Sequence, residues 1–197
     1  MKHYQRPSPY IEQLKFGLII AFISGLIMLA NECAAQTDTF IGRKWKEGKE
    51  IRFGNHTIVK VQSKGYGYTN IFYSDSSELI QKAIKSGKEK MQSASEIEAK
   101  IRDIKARKPG GELLLYIGRL TIGSGNTEYF RIVVQDMNGN ELMNHKLGED
   151  IPEVPGMDQL WWNIDITSLP EEISKPFIVF VIDELDDKNP KHQFIIR

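Results

Sequence analysis

Cysteine is nearly absent from this sequence of 197 residues, and Cys33 is its only example. Residues 1–35 have the pattern of a cleavable export signal, so the chain left after cleavage would contain no cysteine. Disulfide bonds, thiol catalysis and zinc sites built on thiolates are then excluded. We therefore expect residues 36–197 to be held together by a hydrophobic core, which a chain near 150 residues can supply.

Motifs for catalysis and for cofactors are also lacking. His56, His145 and His192 have no metal-ligand spacing, and the sequence has no H-E-x-x-H. The segment 123–125, Gly-Ser-Gly, lacks the flanking residues of a nucleophile elbow, and the segment 65–67, Gly-Tyr-Gly, lacks the third glycine of a dinucleotide loop. The sequence predicts no cofactor and leaves open whether the protein is an enzyme.

Net charge is the third absence, because 26 basic residues balance 26 acidic ones. This balance excludes a histone-like or polyanion-wrapping protein, and together with export it argues against nucleic acid as a partner. The charges are nevertheless unevenly placed. Residues 36–127 hold 17 bases and 10 acids, a net +7, whereas residues 128–197 hold 6 bases and 14 acids, a net −8. The simplest expectation is that the basic helical region docks on the acidic C-terminal region.

The N-terminal segment has the pattern of a targeting signal. Residues 16–30, FGLIIAFISGLIMLA, form an uncharged run that follows three basic residues and precedes the small-residue stretch at 33–35. This is the order of a secretory signal, and its apolar run is shorter than the roughly 20 residues that a membrane-spanning helix needs. We predict cleavage after Ala35 and export to the periplasm or the medium. An uncleaved anchor at 16–30 and a lipid on Cys33 are the alternatives.

The rest of the chain divides by pattern into three regions, which together predict an α+β fold, mainly an antiparallel β-sandwich. Residues 36–75 alternate short apolar runs with turn formers, as in a small β-meander. Residues 76–108 have apolar positions at steps of three and four and form the helical segment. Residues 112–197 contain six short apolar runs separated by turn residues, and they form the sandwich. The run at 177–182 is apolar on both faces, so we expect a central strand there.

The helical segment can be one helix or two. Asp75 or Ser76 can cap its start, whereas Gly87 weakens its middle, and Ser95 with Glu98 would fit a capping box for a second helix. The apolar seam of residues 76–108 also makes self-association a possible role.

Trp161, Asn163 and Asp165 are the candidate binding residues. If residues 160–167 form a strand, Trp162, Ile164 and Ile166 share one face, which we expect to be buried. Trp161, Asn163 and Asp165 then share the other face, where an indole beside an amide and a carboxylate suits a sugar ring or a partner's side chain. Burial of Trp161 under a helix or a loop is the alternative.

Four acids directly follow the apolar run at 177–182, and loop carboxylates can bind a hard cation through their oxygens. These weak metal candidates are Asp183, Glu184, Asp186 and Asp187. Asp165 and Glu184 are also a conceivable pair for glycan hydrolysis, which needs two carboxylates flanking the sugar bond.

Export, the absence of a catalytic constellation and the tryptophan pair point to one expected function. We expect an exported, non-catalytic binding or assembly module of the cell envelope that recognises a glycan or a protein partner. An envelope glycan hydrolase that uses a carboxylate pair is the alternative.

Overall fold

The computed structural model describes residues 44–63, 67–153, 160–185 and 191–197, and residues 42–197 form one unit. The predicted export signal at 1–35, including Cys33, lies outside the described residues. The described part contains nine strands and two α-helices. The strands are β1 (Glu50–Phe53), β2 (His56–Gln62), β3 (Tyr68–Ser74), β4 (Glu112–Arg119), β5 (Phe130–Asp136), β6 (Glu141–Lys146), β7 (Trp161–Ser168), β8 (Phe177–Asp183) and β9 (Lys191–Ile196), and the helices are α1 (Ser76–Glu89) and α2 (Ala94–Arg107). No helix among these residues is long and apolar enough to cross a membrane.

The strands form two antiparallel sheets, which confirms the predicted α+β class. The larger sheet has the order β1-β2-β9-β8-β5-β6, and the smaller has the order β3-β4-β7. Strand β8 lies inside the larger sheet, between β9 and β5, as its apolar sequence predicted. Of the predicted N-terminal meander only the first hairpin, β1–β2, is found, because β2 pairs next with β9 and β3 pairs with β4. Turn residues specify where a chain reverses but not which sheet the next strand joins.

Side chains from both sheets fill the space between the two layers. On the smaller sheet, Leu113, Leu115 and Ile117 are fully buried, and on the larger sheet Phe177 and Val179 are fully buried. The Tyr73 ring meets the Phe177 ring edge to face, with 5.2 Å between centroids. Side chains of the two sheets therefore point into one shared core, as in a sandwich.

The helical segment consists of two helices joined by a short turn. The side chain of Asp75 accepts a hydrogen bond from the Glu78 backbone N–H and caps α1. A capping box opens α2, but its members are Ser93 and Glu96, not Ser95 and Glu98. The two helices pack together where Gly87 meets Ile97, since a Cβ on Gly87 would lie 2.6 Å from the Ile97 side chain. Part of the apolar seam proposed for self-association is thus used inside the helix pair.

Strand β7 has the opposite facing from the one predicted. Asn163 and Thr167 are only 3% and 5% exposed, whereas Ile164 and Ile166 are 38% and 55% exposed. The register explains this, because Asn163 pairs with Ile117 on the buried side of the smaller sheet. Polar residues occupy the inner face here because they find hydrogen-bond partners, and the apolar residues face outward.

Candidate functional site

A shallow depression of about 530 Å³ lies on the larger sheet. Its lining residues are Arg131, Val133, Gln135, Glu141, Asn144, Phe180, Ile182 and Lys191. Phe180 and Ile182 alternate along β8 with the fully buried Val179 and Val181, so the depression lies on the outer face, away from the core. We call it the outer-face depression.

The strand register places these side chains in rows across the sheet. In one row, Phe180 of β8 is paired with Val133 of β5, and Val133 is paired with Asn144 of β6. On the other side of Phe180 lies Gln193 of β9. The row therefore has a half-buried phenylalanine beside a valine at its centre and an amide at each end.

The neighbouring row is basic. Ile182 pairs with Arg131 and with Lys191, and Arg131 pairs in turn with Lys146. Glu184 follows the end of β8 and lies beside this row, where its carboxylate accepts a hydrogen bond of 2.6 Å from Arg131 Nε and another from Lys146 Nζ. These bonds from Lys146 and Arg131 lower the pKa of Glu184. The carboxylate is thus ionised and already paired at neutral pH.

The predicted acidic cation site is only partly within the described residues. Asp183 points inward and binds Arg119, with 3.1 Å between Oδ2 and Nη2. Glu184 points outward to its two bases, so these two carboxylates face opposite sides of the larger sheet. Asp186 and Asp187 lie outside the described residues. The two described members therefore do not share a point at which a cation could bind.

The three residues proposed for binding have separate surroundings. Asn163 is buried, and its side-chain N–H groups bind the backbone carbonyls of Asp150 at 2.7 Å and Gly125 at 3.4 Å. Asp165 accepts a hydrogen bond of 2.9 Å from the Thr167 hydroxyl. Trp161 is half-buried and pairs with Arg119 at the end of β4. Asn163 thus holds two loops together, and its amide is not presented to solvent.

Trp162, not Trp161, belongs to an aromatic row on the outer face of the smaller sheet. The Tyr116 ring lies parallel to both the Tyr68 ring and the Trp162 ring, at 5.6 Å and 6.0 Å between centroids. Gly118 makes room for this row, since a Cβ there would lie 2.3 Å from the Tyr68 ring.

The carboxylate pair suggested for hydrolysis is not assembled. Asp165 is on β7, where it pairs with the fully buried Leu115 and so faces the interior of the sandwich. Glu184 lies beyond the outer face of the other sheet, bound to Arg131 and Lys146. The two acids therefore do not flank a common cleft.

A cluster of His56, Asp75 and Glu78 is the best candidate among the described residues for holding a metal. Nε2 of His56 lies 3.4 Å from Asp75 Oδ2 and 3.4 Å from Glu78 Oε2. His56 is fully buried at the start of β2, and its ring packs 4.6 Å from the Tyr73 ring. Lys175 closes the other side, with 3.0 Å between its Nζ and His56 Nδ1.

Burial and charge both act on the protonation of this cluster. Burial lowers the pKa of His56, outweighing the opposing effect of the two carboxylates. Burial would raise the pKa of Asp75, but hydrogen bonds from Ser77 and from the Glu78 backbone lower it overall. Tyr73 is also affected, since burial raises its pKa to about 12. The imidazole is therefore neutral at pH 7, and the Asp75 carboxylate is ionised.

Sequence reasoning missed this cluster because its histidine is distant in sequence from its acids. His56 is on β2, whereas Asp75 and Glu78 flank the first turn of α1. The only local signal is the spacing Asp-x-x-Glu at 75–78, which is typical of a helix start and not specific to a metal site. The turn between β1 and β2 lies against the start of α1, where the Asn55 backbone N–H binds Glu78, and this contact brings the start of β2 next to the two acids.

The chain matches no protein-family model, no curated protein and no solved structure.

Proposed function

We propose that the protein is an exported, non-catalytic binding module of the cell envelope that recognises a glycan through the outer-face depression. One observation carries this proposal: a half-buried phenylalanine on a central strand faces outward between rows of amide and charged side chains. Solvent-facing aromatic rings supply apolar contact area, and a few polar groups around them fix the orientation of a ligand.

A sugar ring matches these groups. One face of a pyranose is lined by C–H bonds and can lie on the Phe180 ring, while its hydroxyl groups can bind the amides of Gln135 and Asn144. Arg131 and Lys191 at one end would favour a sugar that carries a carboxylate. At 1–35, basic residues are followed by an apolar run and then by small residues, which is the order of an export signal. This order supports an envelope location for the protein.

A glycan-binding assay with Phe180→Ala tests the proposal. The protein is produced as the full chain with its export signal, purified as the cell processes it, and applied to immobilised neutral and acidic glycans. We expect retention on at least one glycan, and we expect Phe180→Ala to weaken it at least tenfold. Val61→Ala is a matched control, because Val61 is also exposed on β2 of the same sheet but lies outside the depression.

Two further measurements protect the interpretation. Gln135→Ala changes a side chain at the depression rim and should weaken glycan binding without affecting the melting temperature. It therefore tests the same site even if Phe180→Ala does not fold. Glycan binding that is unchanged in both variants, or no retention by the wild type, would refute the proposed site. Export is tested separately by the N-terminal sequence of the purified protein, and a start at Met1 in the cytoplasmic fraction would contradict it.

A further inference from the structure

The cluster of His56, Asp75 and Glu78 has the form of an assembled ligand set. His56 Nε2 and Glu78 Oε2 lie 3.4 Å apart, and neither makes a hydrogen bond of normal geometry among the described residues, although His56 is fully buried and the Glu78 side chain is only 10% exposed. Buried polar atoms without a good hydrogen bond are costly and rare, so two that face the same point need an explanation.

The second oxygen of each carboxylate is fixed by hydrogen bonds. Glu78 Oε1 accepts a bond of 2.7 Å from the Asn55 backbone N–H. Asp75 Oδ1 accepts bonds of 2.6 Å from Ser77 Oγ and 2.9 Å from the Glu78 backbone N–H. Each acid is thus held by one oxygen and presents the other toward His56. Hydrogen bonds of this kind are what orient metal-binding carboxylates in proteins.

Gly54 allows this arrangement in the β1–β2 turn. Its φ of +57° suits glycine, and a Cβ at this position would lie 2.5 Å from Glu78 Oε1. The turn can therefore approach the first turn of α1 closely enough for Asn55 to hold the carboxylate.

Two of the three distances between ligand atoms match those around a tetrahedral ion. Ligand atoms about 2.0–2.1 Å from a tetrahedral Zn²⁺ lie about 3.3–3.4 Å from one another. The two distances from His56 Nε2 to the carboxylate oxygens are both 3.4 Å, and all three ligand atoms lie within 4.8 Å of one another. One imidazole nitrogen and two carboxylate oxygens are a donor set that suits zinc better than calcium, which takes six to eight oxygens.

We infer that His56 Nε2, Asp75 Oδ2 and Glu78 Oε2 bind a divalent transition metal, with Zn²⁺ as the best match, and that the ammonium group of Lys175, which contacts His56 Nδ1 and Asp75, opposes metal binding. The inference is independent of glycan binding, since the depression shares none of these residues.

Lys175 competes with the metal for two reasons. Its Nζ lies 3.0 Å from His56 Nδ1 and 3.6 Å from Asp75 Oδ2, so it neutralises part of the acidic charge. A lysine ammonium can only donate, so in this state Nδ1 is the acceptor and Nε2 carries the hydrogen. Zn²⁺ needs the lone pair of Nε2, and the hydrogen must then lie on Nδ1, where it faces the ammonium group. Lys175 is solvent-exposed and can move away.

Zinc titration of the purified full-chain protein, with a chromophoric chelator as competitor, tests this inference. We expect one Zn²⁺ per chain, no competition by Ca²⁺, and a metal-dependent rise in melting temperature. Glu78→Gln and Asp75→Asn should each weaken binding at least tenfold. Both changes keep the local hydrogen bonds, because glutamine can still accept from Asn55 and asparagine is a good N-cap. His56→Gln should abolish binding.

Two other variants separate a built site from general surface binding. His145→Gln removes an exposed histidine on β6 and should leave zinc affinity unchanged. Lys175→Met removes the competing ammonium and should tighten zinc binding several-fold. No stoichiometric binding by the folded wild type, or equal affinity in Glu78→Gln and wild type, would overturn the metal site. Unchanged or weakened affinity in Lys175→Met would overturn the role of Lys175.

Discussion

Replacing Lys60 by methionine should remove a pH dependence of folding stability that lies above pH 8. Lys60 is fully buried on the inner face of β2. Its Nζ donates a hydrogen bond of 3.1 Å to the Thr69 carbonyl and lies 5.7 Å from the centre of the Phe194 ring. Burial, reinforced by the positive charge of Lys44, lowers the pKa of Lys60 from 10.5 to about 8, although Glu47 acts in the other direction.

The sign of the effect follows from the proton balance. Between pH 8 and pH 10.5 the unfolded chain holds a proton on Lys60 that the folded chain has lost. The contribution of Lys60 to the free energy of unfolding therefore rises with pH through this window. That contribution is lowest below pH 8. A difference of about 2.5 pH units corresponds to about 3 kcal/mol.

Methionine keeps the length and apolar character of the lysine stem and cannot titrate. At pH 7 the variant gains the desolvation free energy that the charged lysine costs, but it leaves the Thr69 carbonyl without its donor, at a cost of about 1–3 kcal/mol. We therefore expect wild type and Lys60→Met to be similar in stability at pH 7, and wild type to become the more stable by about 3 kcal/mol near pH 10.5.

Urea unfolding at pH 7, 8, 9 and 10 measures this difference. Subtracting the variant's unfolding free energy from that of the wild type at each pH cancels the titration of all other groups that the substitution leaves unchanged. Lys49→Met is a control for replacing an exposed lysine, because Lys49 lies on the surface next to β1. A difference between wild type and Lys60→Met that stays constant within about 0.5 kcal/mol from pH 7 to pH 10 would show that Lys60 is not held in an apolar setting.

Two more substitutions test the polar groups between the sheets. Burial, with the positive charge of Arg119 adding to it, lowers the pKa of His192 from 6.5 to about 3, so the wild type should lose stability from pH 6.5 downward while the unfolded chain takes up a proton. His192→Phe should lose about 1–3 kcal/mol less than wild type between pH 6.5 and pH 4.5 in urea unfolding, and an equal loss would contradict the assignment. Asn163→Ala should lower stability by about 1–3 kcal/mol, because the carbonyls of Asp150 and Gly125 lose their donor, and it should leave glycan retention unchanged. Weaker retention at full stability would return Asn163 to the binding site.

Periodicity in the sequence was enough to predict where strands and helices lie, but not which face of each strand is buried. The β4–β9 segments were all found, since short apolar runs between turn residues are a local property. The prediction of which face of β7 is buried was wrong. Trp162, Ile164 and Ile166 form the more apolar face, whereas the buried face carries Asn163 and Thr167. Burial of those two depends on partners elsewhere in the chain, and no local pattern records that.

The sequence pattern also did not indicate which strands pair with each other. The β1–β2 hairpin follows from the Gly54-Asn55 turn, yet β2 continues the larger sheet through β9, at the other end of the chain. The metal cluster depends on this closure, because it places His56 beside the start of α1. The outer-face depression likewise combines β5, β6, β8 and β9, so its floor could be read only in part from the apolar run of β8.

The basic and acidic halves of the sequence do not fold into two separate surfaces that dock on each other. Strands of the basic half pair with strands of the acidic half in both sheets, β2 with β9 and β4 with β7, so the halves meet inside the sheets as well as at the surface. Arg119 binds Asp183 in the interior, where the two side chains are 3% and 13% exposed, whereas Arg197 and Glu50 are more than half exposed. Salt screens exposed pairs far more than buried ones, and an exposed pair contributes about 0–1 kcal/mol. The buried Arg119–Asp183 pair should therefore depend little on ionic strength, whereas the exposed Arg197–Glu50 pair should weaken as salt is added.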